Sequence, residues 1–169
     1  MEFNNEIGLI QRRMAASIAG TSRRLEILNA LDIKSGQHVL DIGCGGGHLL
    51  EEIAKAVGPE GKAYGLDTSE DQLKQARKRC SSYENVVTIK GYANQIGLEN
   101  NSCDSICSVQ TFEYIDDVDD SINELTRLLK PSSIFVNISI LWEYYKFFGA
   151  DEELNKTIHD TFKAHCFHQ

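Results

Sequence analysis

The sequence predicts an α/β protein with a doubly wound, mainly parallel sheet. Between residues 37 and 140, short apolar segments of strand length alternate with longer segments of helical periodicity. Strands that alternate with helices are typical of a parallel sheet with helices on both faces. A glycine-rich turn at residues 43–47 follows the first strand, and ligands of such sheets bind beyond the carboxyl ends of the strands. We therefore expect a ligand site at that end of the sheet.

Two helices are predicted ahead of the sheet. Residues 6–19 and 22–31 show helical apolar spacing, with a break near Gly20. The apolar positions are Ile7, Ile10, Met14 and Ile18 in the first helix, and Leu25, Leu28 and Leu31 in the second. We expect each set to form the apolar face of its helix.

The sheet itself is predicted to contain five strands. They are residues 37–42, 62–67, 86–90, 103–109 and 133–140. The helices between and after them are residues 47–57, 69–83, 118–130 and 151–165. Gly58 and Pro59 end the first of these helices, and Ser69 with Gln72 forms a capping box at the start of the second. Right-handed crossovers restrict such a chain to a doubly wound topology.

Charge and hydropathy exclude several classes of partner. The net charge of −8 argues against a general nucleic-acid-binding surface, which depends on clustered Lys and Arg. The basic residues Lys74, Arg77, Lys78 and Arg79 are interpreted as the solvated face of a helix. No apolar run approaches the roughly 20 residues of a membrane span, and we expect no secretory leader, because the first six residues have neither a basic nor an apolar region. We expect a cytoplasmic protein with no nucleic-acid or membrane partner.

The cysteines predict neither disulfides nor a four-cysteine zinc site. Their number, five, is odd, and no pair has CxxC spacing. Cys103 and Cys107 are interpreted as small buried hydrophobes, in preference to a thiolate site for a soft metalloid. A metal site in the group His159, His165, Cys166 and His168 is disfavoured because it would lie at a frayed terminus. No metal is therefore predicted.

The turn after the first strand carries the most specific motif. It has the pattern Asp-x-Gly-x-Gly-x-Gly from Asp41 to Gly47, with four glycines in five positions. Because glycine has no Cβ and adopts positive φ easily, a ligand can approach such a backbone closely. The start of the next helix adds unpaired amides. The dinucleotide fingerprint GxGxxG fits less well, since His48 occupies its third glycine position.

A second signal lies at the end of the second predicted strand. Asp67 ends that strand and follows Gly47 by 20 residues. A carboxylate at this place can accept hydrogen bonds from both hydroxyls of a ribose. A solvated turn residue is the alternative, and the pairing with the glycine turn favours the ribose role.

Together these motifs resemble motif I and the ribose-binding acid of the class I methyltransferases. The similarity continues through the fourth strand at residues 101–110 and the segment at residues 124–131, and covers about residues 22–140. It implies a Rossmann-like core that binds S-adenosylmethionine. Carried over by position, the cofactor-binding residues are Asp41, Gly43, Cys44, Gly45, Gly47, Asp67, Thr68, Tyr92, Ala93 and Gln110.

The resemblance also implies in-line methyl transfer to a small molecule, with Phe112, Tyr114 and Ile115 beside the methyl donor. Because alignment of the reactants supplies much of the rate of such a reaction, no catalytic base is required and none is identified. Glu113 and Asp116 are candidates, but acids at a helix start are the favoured interpretation.

Three alternatives stay open. Arg24 is expected either to reach the cofactor carboxylate or to lie at the surface. A non-catalytic S-adenosylmethionine-binding or scaffolding module is the second functional class, and an NAD oxidoreductase is a distant third.

The sequence departs from the family pattern at two places. The family's acidic residue after strand three is replaced by Tyr92, which puts adenine affinity in doubt, and Ser132-Ser133 replaces two glycines after Pro131.

We expect residues 1–169 to form a single domain. It would comprise N-terminal helices at 1–33, a cofactor-binding core at 34–140 and a C-terminal helical segment at 141–169. Only 29 residues follow Ile140, and the strand hairpin that completes the family's sheet is not predicted there, so the segment is interpreted as truncated. Strand five would then present an open edge, which favours a homo-oligomer. We expect the 169 residues to bind cofactor but to methylate poorly by themselves.

Overall fold

The computed structural model describes residues 5–140 and 149–163. The helices are α1 (Asn5–Ala15), α2 (Ile18–Leu31), α3 (His48–Val57), α4 (Glu70–Arg79), α5 (Val118–Leu128) and α6 (Glu152–Lys163). The strands are β1 (His38–Ile42), β2 (Lys62–Asp67), β3 (Val86–Lys90), β4 (Cys103–Val109) and β5 (Leu129–Ile138). A short 3₁₀ turn spans Phe112–Tyr114. The sequence has an aromatic-rich run at residues 142–148; this run and the terminal residues His165, Cys166 and His168 lie outside the described residues.

The five strands form one parallel sheet in the order β3-β2-β1-β4-β5. In the middle strand, Asp41 lies opposite Gly65 of β2 and opposite Cys107 of β4. The chain builds β1, β2 and β3 outward on one side and then returns to place β4 on the other side of β1. The predicted doubly wound sheet is confirmed, and its switch point lies between β1 and β4.

Helices cover both faces of this sheet. Val39 packs with Ile27 of α2 and Leu50 of α3 in one apolar cluster, whereas Leu40 packs with Leu125 of α5 in another. Consecutive residues of a strand point to opposite faces. Both faces of β1 are therefore buried, and its apolar residues Val39, Leu40 and Ile42 lie on both faces instead of one.

The boundary between the first two helices lies earlier than predicted. The Ser17 hydroxyl caps α2 by accepting the amide of Gly20 at 3.2 Å, so Gly20 lies inside a helix and not at the break. A Cβ at Gly20 would lie 2.5 Å from the carbonyl oxygens of Met14 and Ala15. Glycine is needed here because α1 and α2 approach each other closely.

The buried stripe of α2 also differs from the predicted one. Its members are Gly20, Arg24, Ile27 and Leu31, whose spacing of four, three and four is helical. Leu25 is 54 % exposed and Ile18 is 88 % exposed, so the prediction that they face the core is wrong. Ile27 and Leu31 pack in the apolar cluster that includes Leu50 of α3, so this stripe faces the core and Leu25 lies outside.

Three further predicted boundaries need correction. The helix expected at 69–83 ends at Arg79, where Cys80 and Tyr83 form a turn through the Tyr83 amide and the Cys80 carbonyl at 2.9 Å. The helix expected to reach residue 130 ends at Leu128, and β5 begins at Leu129 instead of 133. Proline is tolerated at a bulge of an edge strand, and a register shift between β4 and β5 accommodates Pro131 there.

The capping box at the start of α4 is half formed. The Ser69 hydroxyl accepts the Gln72 amide at 3.4 Å, as predicted. The Gln72 side chain does not return to Ser69 but contacts Gln11 and Arg12 of α1. Across the described ranges, no helix combines the length and apolar composition that crossing a bilayer requires.

Candidate functional site

A cavity of about 1290 Å³ opens at the carboxyl ends of the strands. The glycine turn after β1 lies between the residues that end β2 and those that follow β4. Residues 91–94 after β3, the N-terminal helices and Thr161 of α6 complete the wall. The site therefore lies at the switch point where the sequence predicted it.

Three glycines of the turn have left-handed backbones, with φ of +71° at Gly43, +52° at Gly45 and +79° at Gly47. A Cβ at Gly43 would lie 2.1 Å from Oγ1 of Thr111, and one at Gly47 would lie 2.8 Å from Cα of Ala76. A Cβ at Gly45 would meet no atom of the described residues within 4 Å. Gly45 therefore faces the open cavity, whereas Gly43 and Gly47 allow close packing of the turn.

Asp67 is hydrogen-bonded to the glycine turn. Its Oδ2 accepts the amide of Gly45 at 2.9 Å, and its Oδ1 accepts the amide of Ser69 at 2.8 Å. Burial raises the pKa of Asp67, and the hydrogen bonds from Ser69 and Gly45 partly oppose that rise. Because each carboxylate oxygen can accept two hydrogen bonds, both oxygens keep capacity for a ligand.

Asp41 is a buried carboxyl group beneath the turn. It is 2 % exposed, and Sγ of Cys107 lies 3.9 Å from its Oδ1. Within the described part of the chain, its Oδ2 has no hydrogen-bond partner. Burial and the nearby charge of Asp67 raise the pKa of Asp41 to about 8. An orphaned buried oxygen in a cavity wall fits a polar or cationic ligand group.

All of the predicted cofactor-binding residues except Gly47 line the cavity. Cys44, Thr68, Tyr92, Ala93 and Gln110 line the cavity, together with Asp41, Gly43, Gly45 and Asp67. Gly47 does not line it and contacts Ala76 of α4 instead. Tyr92 is 72 % exposed, so its ring is accessible to a ligand.

Gln110 has an unusual backbone conformation. Its φ is +52°, which non-glycine residues adopt rarely and which occurs preferentially at functional sites. Its amide donates to the carbonyl of Ile138 at 2.7 Å. This hydrogen bond holds the residue at the end of β4, where the cavity lies beside β1.

Arg79 connects α4 to the glycine turn. It donates to the Gly46 carbonyl at 3.0 Å and to Nε2 of His48 at 3.0 Å. Burial, together with the charges of Arg79 and Arg24, lowers the pKa of His48 to about 4. His48 and Gly46 both line the cavity. Arg79 is exposed, as predicted for the basic face of this helix, and it also contacts the glycine turn, although no local pattern distinguishes it from Arg77 or Lys78.

The remaining candidates have structural partners. Arg24 is 9 % exposed, pairs with Glu52 at 3.1 Å and lines the cavity, so the surface alternative is wrong. Glu113 is 3 % exposed, and its Oε1 accepts the amide of Ile140 at 2.7 Å. Glu113 thereby holds the chain that follows β5 and does not cap α5. The N-cap of α5 is Asp117.

Cys103 and Cys107 are buried, as predicted, and the other two described cysteines, Cys44 and Cys80, are buried as well. All four are free. Burial raises the pKa of each of these thiols. They therefore pack as small neutral side chains, and Cys44 alone among them lines the cavity.

Residues 33–169 match the family profile described as a methyltransferase domain. The chain belongs to the class I S-adenosylmethionine-dependent methyltransferases. S-adenosylmethionine is therefore the cofactor of this methyltransferase domain, as the motifs at Asp41–Gly47 and Asp67 predicted.

Two curated relatives illustrate the match. The methyltransferase domain is 31% identical over 113 residues to demethylmenaquinone methyltransferase of Staphylococcus aureus, covering 67% of this chain and 47% of that protein. It is 32% identical over 124 residues to an uncharacterized 37.1 kDa protein in transposon TN4556 of Streptomyces fradiae, covering 73% and 36%. The chain thus spans less than half the length of these relatives.

Solved structures agree on the fold. A SAM-dependent methyltransferase from Aquifex aeolicus is 25% identical with a TM-score of 0.67, and the match covers 82% of this chain and 78% of that one. Geranyl diphosphate C-methyltransferase from Streptomyces coelicolor is 17% identical with a TM-score of 0.72, covering 89% and 56%. At that identity, the second likeness supports the Rossmann-like fold alone.

Proposed function

We propose that this domain binds S-adenosylmethionine in the cavity and transfers its methyl group to a small molecule. The observation that carries the proposal is the hydrogen bond between Asp67 and the amide of Gly45 beside the orphaned Oδ2 of Asp41. These features join the glycine turn and two carboxyl groups around one cavity at the switch point.

The sheet order suggests how the cofactor lies in the cavity. Asp67 at the end of β2 would hold the ribose hydroxyls, with Thr68 beside it. Because β3 lies outside β2, the adenine would lie against Tyr92 and Ala93. The methionine moiety would then extend along the turn from Gly43 to Gly45, past Cys44, toward Asp41.

The bound cofactor supplies an electrophilic methyl group on a sulfonium. The domain's residues would bind and orient it. Gln110 at the end of β4 lies on the acceptor's side of β1, and Tyr114 and Ile115 also line the cavity there. Holding the two reactants in line supplies much of the rate. Asp41 would accept a hydrogen bond from the cofactor's ammonium group.

Cavity size supports a small-molecule acceptor. Sites for a single ligand commonly measure roughly 300–1,000 Å³, and this cavity of about 1290 Å³ is larger. It therefore has room for a second small molecule beside the cofactor. The relative named demethylmenaquinone methyltransferase agrees with a small-molecule acceptor.

A non-catalytic cofactor-binding module is the second candidate. It is favoured by Tyr92, which offers no carboxylate to the adenine amino group. Calorimetric titration with S-adenosylmethionine, S-adenosylhomocysteine and NAD tests cofactor choice, and transfer of a radiolabelled methyl to small thiols, amines and phenols tests turnover. We expect both sulfur nucleosides to bind and NAD not to bind. Tighter binding of NAD would overturn the proposal, and binding without any transfer would favour the module.

A further inference from the structure

Three arginines of the N-terminal helices line the cavity, and they differ in their partners. Arg12 pairs with Asp71 at 3.2 Å, and Arg24 pairs with Glu52 at 3.1 Å. Arg23 is half-buried, yet across residues 5–140 and 149–163 it has no hydrogen bond or ion pair. Arg23 is therefore an uncompensated cation at the wall of a large cavity.

A guanidinium at the cavity wall that has no acidic partner is available to an anionic ligand. Partial burial at such a wall makes a charge-assisted hydrogen bond stronger than it would be in bulk water. The chain has 25 acidic residues against 17 Lys and Arg, so carboxylates are not scarce. The planar fork of arginine matches carboxylate and phosphate groups through paired hydrogen bonds.

The cofactor's own carboxylate has a different cationic environment. Arg24 is tied to Glu52 of α3, and its charge acts on His48 at the start of that helix. This places Arg24 at the glycine turn, along which the methionine moiety is proposed to lie. Arg23 is the next residue back on α2, about 100° around the helix axis from Arg24, so it lines a different part of the wall.

We propose that Arg23 binds an anionic group of the methyl acceptor, so that the acceptor is a small organic acid bearing a carboxylate or a phosphate. This inference rests on the proposed function and adds the chemical class of the acceptor. Met14, Val109 and Ile115 also line the cavity and offer apolar contacts for the carbon skeleton of such an acid. Arg23 is thus a specificity-determining residue.

Calorimetry with matched probes tests the proposal. Benzoate and phenyl phosphate are titrated into the full chain saturated with S-adenosylhomocysteine, and benzamide serves as the neutral counterpart. We expect both anions to bind more tightly than benzamide. Arg23→Gln should lower the affinity for both anions by about tenfold or more, which is the effect of losing a hydrogen bond to a charged group. Arg23→Lys should retain part of the affinity, because it keeps the charge but not the fork.

The matched control is Arg13→Gln. Arg13 lies on α1, is exposed and does not line the cavity, so its loss changes net charge equally without touching the site. The proposal is overturned if the wild-type protein shows no preference for anions, or if Arg23→Gln and Arg13→Gln behave alike. Weakened S-adenosylhomocysteine binding in Arg23→Gln, with anion binding unchanged, would also overturn it and would assign Arg23 to the cofactor. Absence of S-adenosylhomocysteine binding in the wild type would instead reject the proposed function, and titration of the anions into the free protein would still report on Arg23.

Discussion

The amide of Gly45 donates a hydrogen bond to Oδ2 of Asp67 across 2.9 Å, tying the glycine turn after β1 to the end of β2. The other oxygen of Asp67 receives the amide of Ser69 at 2.8 Å. Two motifs that are separated in sequence thus form one hydrogen-bonded unit. The carboxylate is held in place before any ligand arrives, which lowers the ordering cost of binding.

Replacing Asp67 should weaken cofactor binding. We expect Asp67→Ala to reduce the affinity for S-adenosylhomocysteine by about 1.5–3 kcal/mol, the range for hydrogen bonds to a charged group, as measured by calorimetry. Glu60→Ala is the control, because Glu60 is an exposed acid outside the cavity. Unchanged affinity in Asp67→Ala, with a native circular dichroism spectrum, would reduce Asp67 to a turn residue.

A side chain at Gly45 should block the cavity. Gly45→Val places a branched Cβ where the structure leaves open space at a φ of +52°, and we expect no measurable S-adenosylhomocysteine binding. Gly36→Val separates strain from occlusion, because Gly36 also has a positive φ, +85°, and open space at its Cβ but lies outside the cavity. We expect Gly36→Val to lose stability and keep its affinity. Equal affinities in the two variants would contradict close approach of the ligand to Gly45.

Protonation of Asp41 should make stability depend on pH. Burial and the charge of Asp67 raise the pKa of Asp41 from 3.8 to about 8, so the folded protein keeps a proton that the unfolded chain releases. The stabilisation is fully present below pH 3.8 and is lost as pH rises toward 8. Between pH 5 and 8, the free energy of unfolding should therefore fall by on the order of 1 kcal/mol per pH unit through this group.

Urea denaturation of the unliganded protein at several pH values in that window measures the effect. Asp41→Asn should flatten the slope, since the amide does not titrate. Glu60→Gln, an equivalent change at an exposed acid, should leave the slope unchanged. A slope in Asp41→Asn equal to that of the wild type would show that Asp41 is not the titrating group.

Ser132 is predicted to be a site of removable backbone strain. Its φ of +66° lies in the left-handed region, which disfavours residues with a Cβ by roughly 1–2 kcal/mol. Glycine loses more chain entropy on folding, roughly 0.5–1 kcal/mol. We expect Ser132→Gly to raise the free energy of unfolding by about 0.5–1 kcal/mol, the difference of these two effects.

The neighbouring residue provides the control for Ser132. Ser133 has no positive φ, so Ser133→Gly adds the entropy loss without relieving strain and should be destabilising. Urea denaturation compares the two variants. Destabilisation of similar size in both would mean that the bulge in β5 does not strain Ser132.

The sequence by itself determined the order of elements, the fold class and the cofactor motif. The bounds of β2, β3 and β4 agree with the predicted ones, because each strand is an apolar run of fixed length between turn residues. Gly45 and Asp67 were found for a similar reason. Asp67 is the last residue of β2 and Gly45 lies three residues after the end of β1, and the carboxyl ends of parallel strands meet at one edge of the sheet.

Only the tertiary structure decided which distant side chains contact the residues of the cavity wall. Arg79 meets His48 across 31 residues, and Arg24 meets Glu52 across 28. Such contacts depend on how one helix packs against another, whereas local apolar spacing specifies only that a helix forms. The same limit hid the inward stripe of α2, where Ile27 and Leu31 pack in the core and Leu25 is left exposed. The raised pKa of Asp41 likewise follows from burial by surrounding elements and from the charge of Asp67, since an isolated Asp in water is ionised at neutral pH.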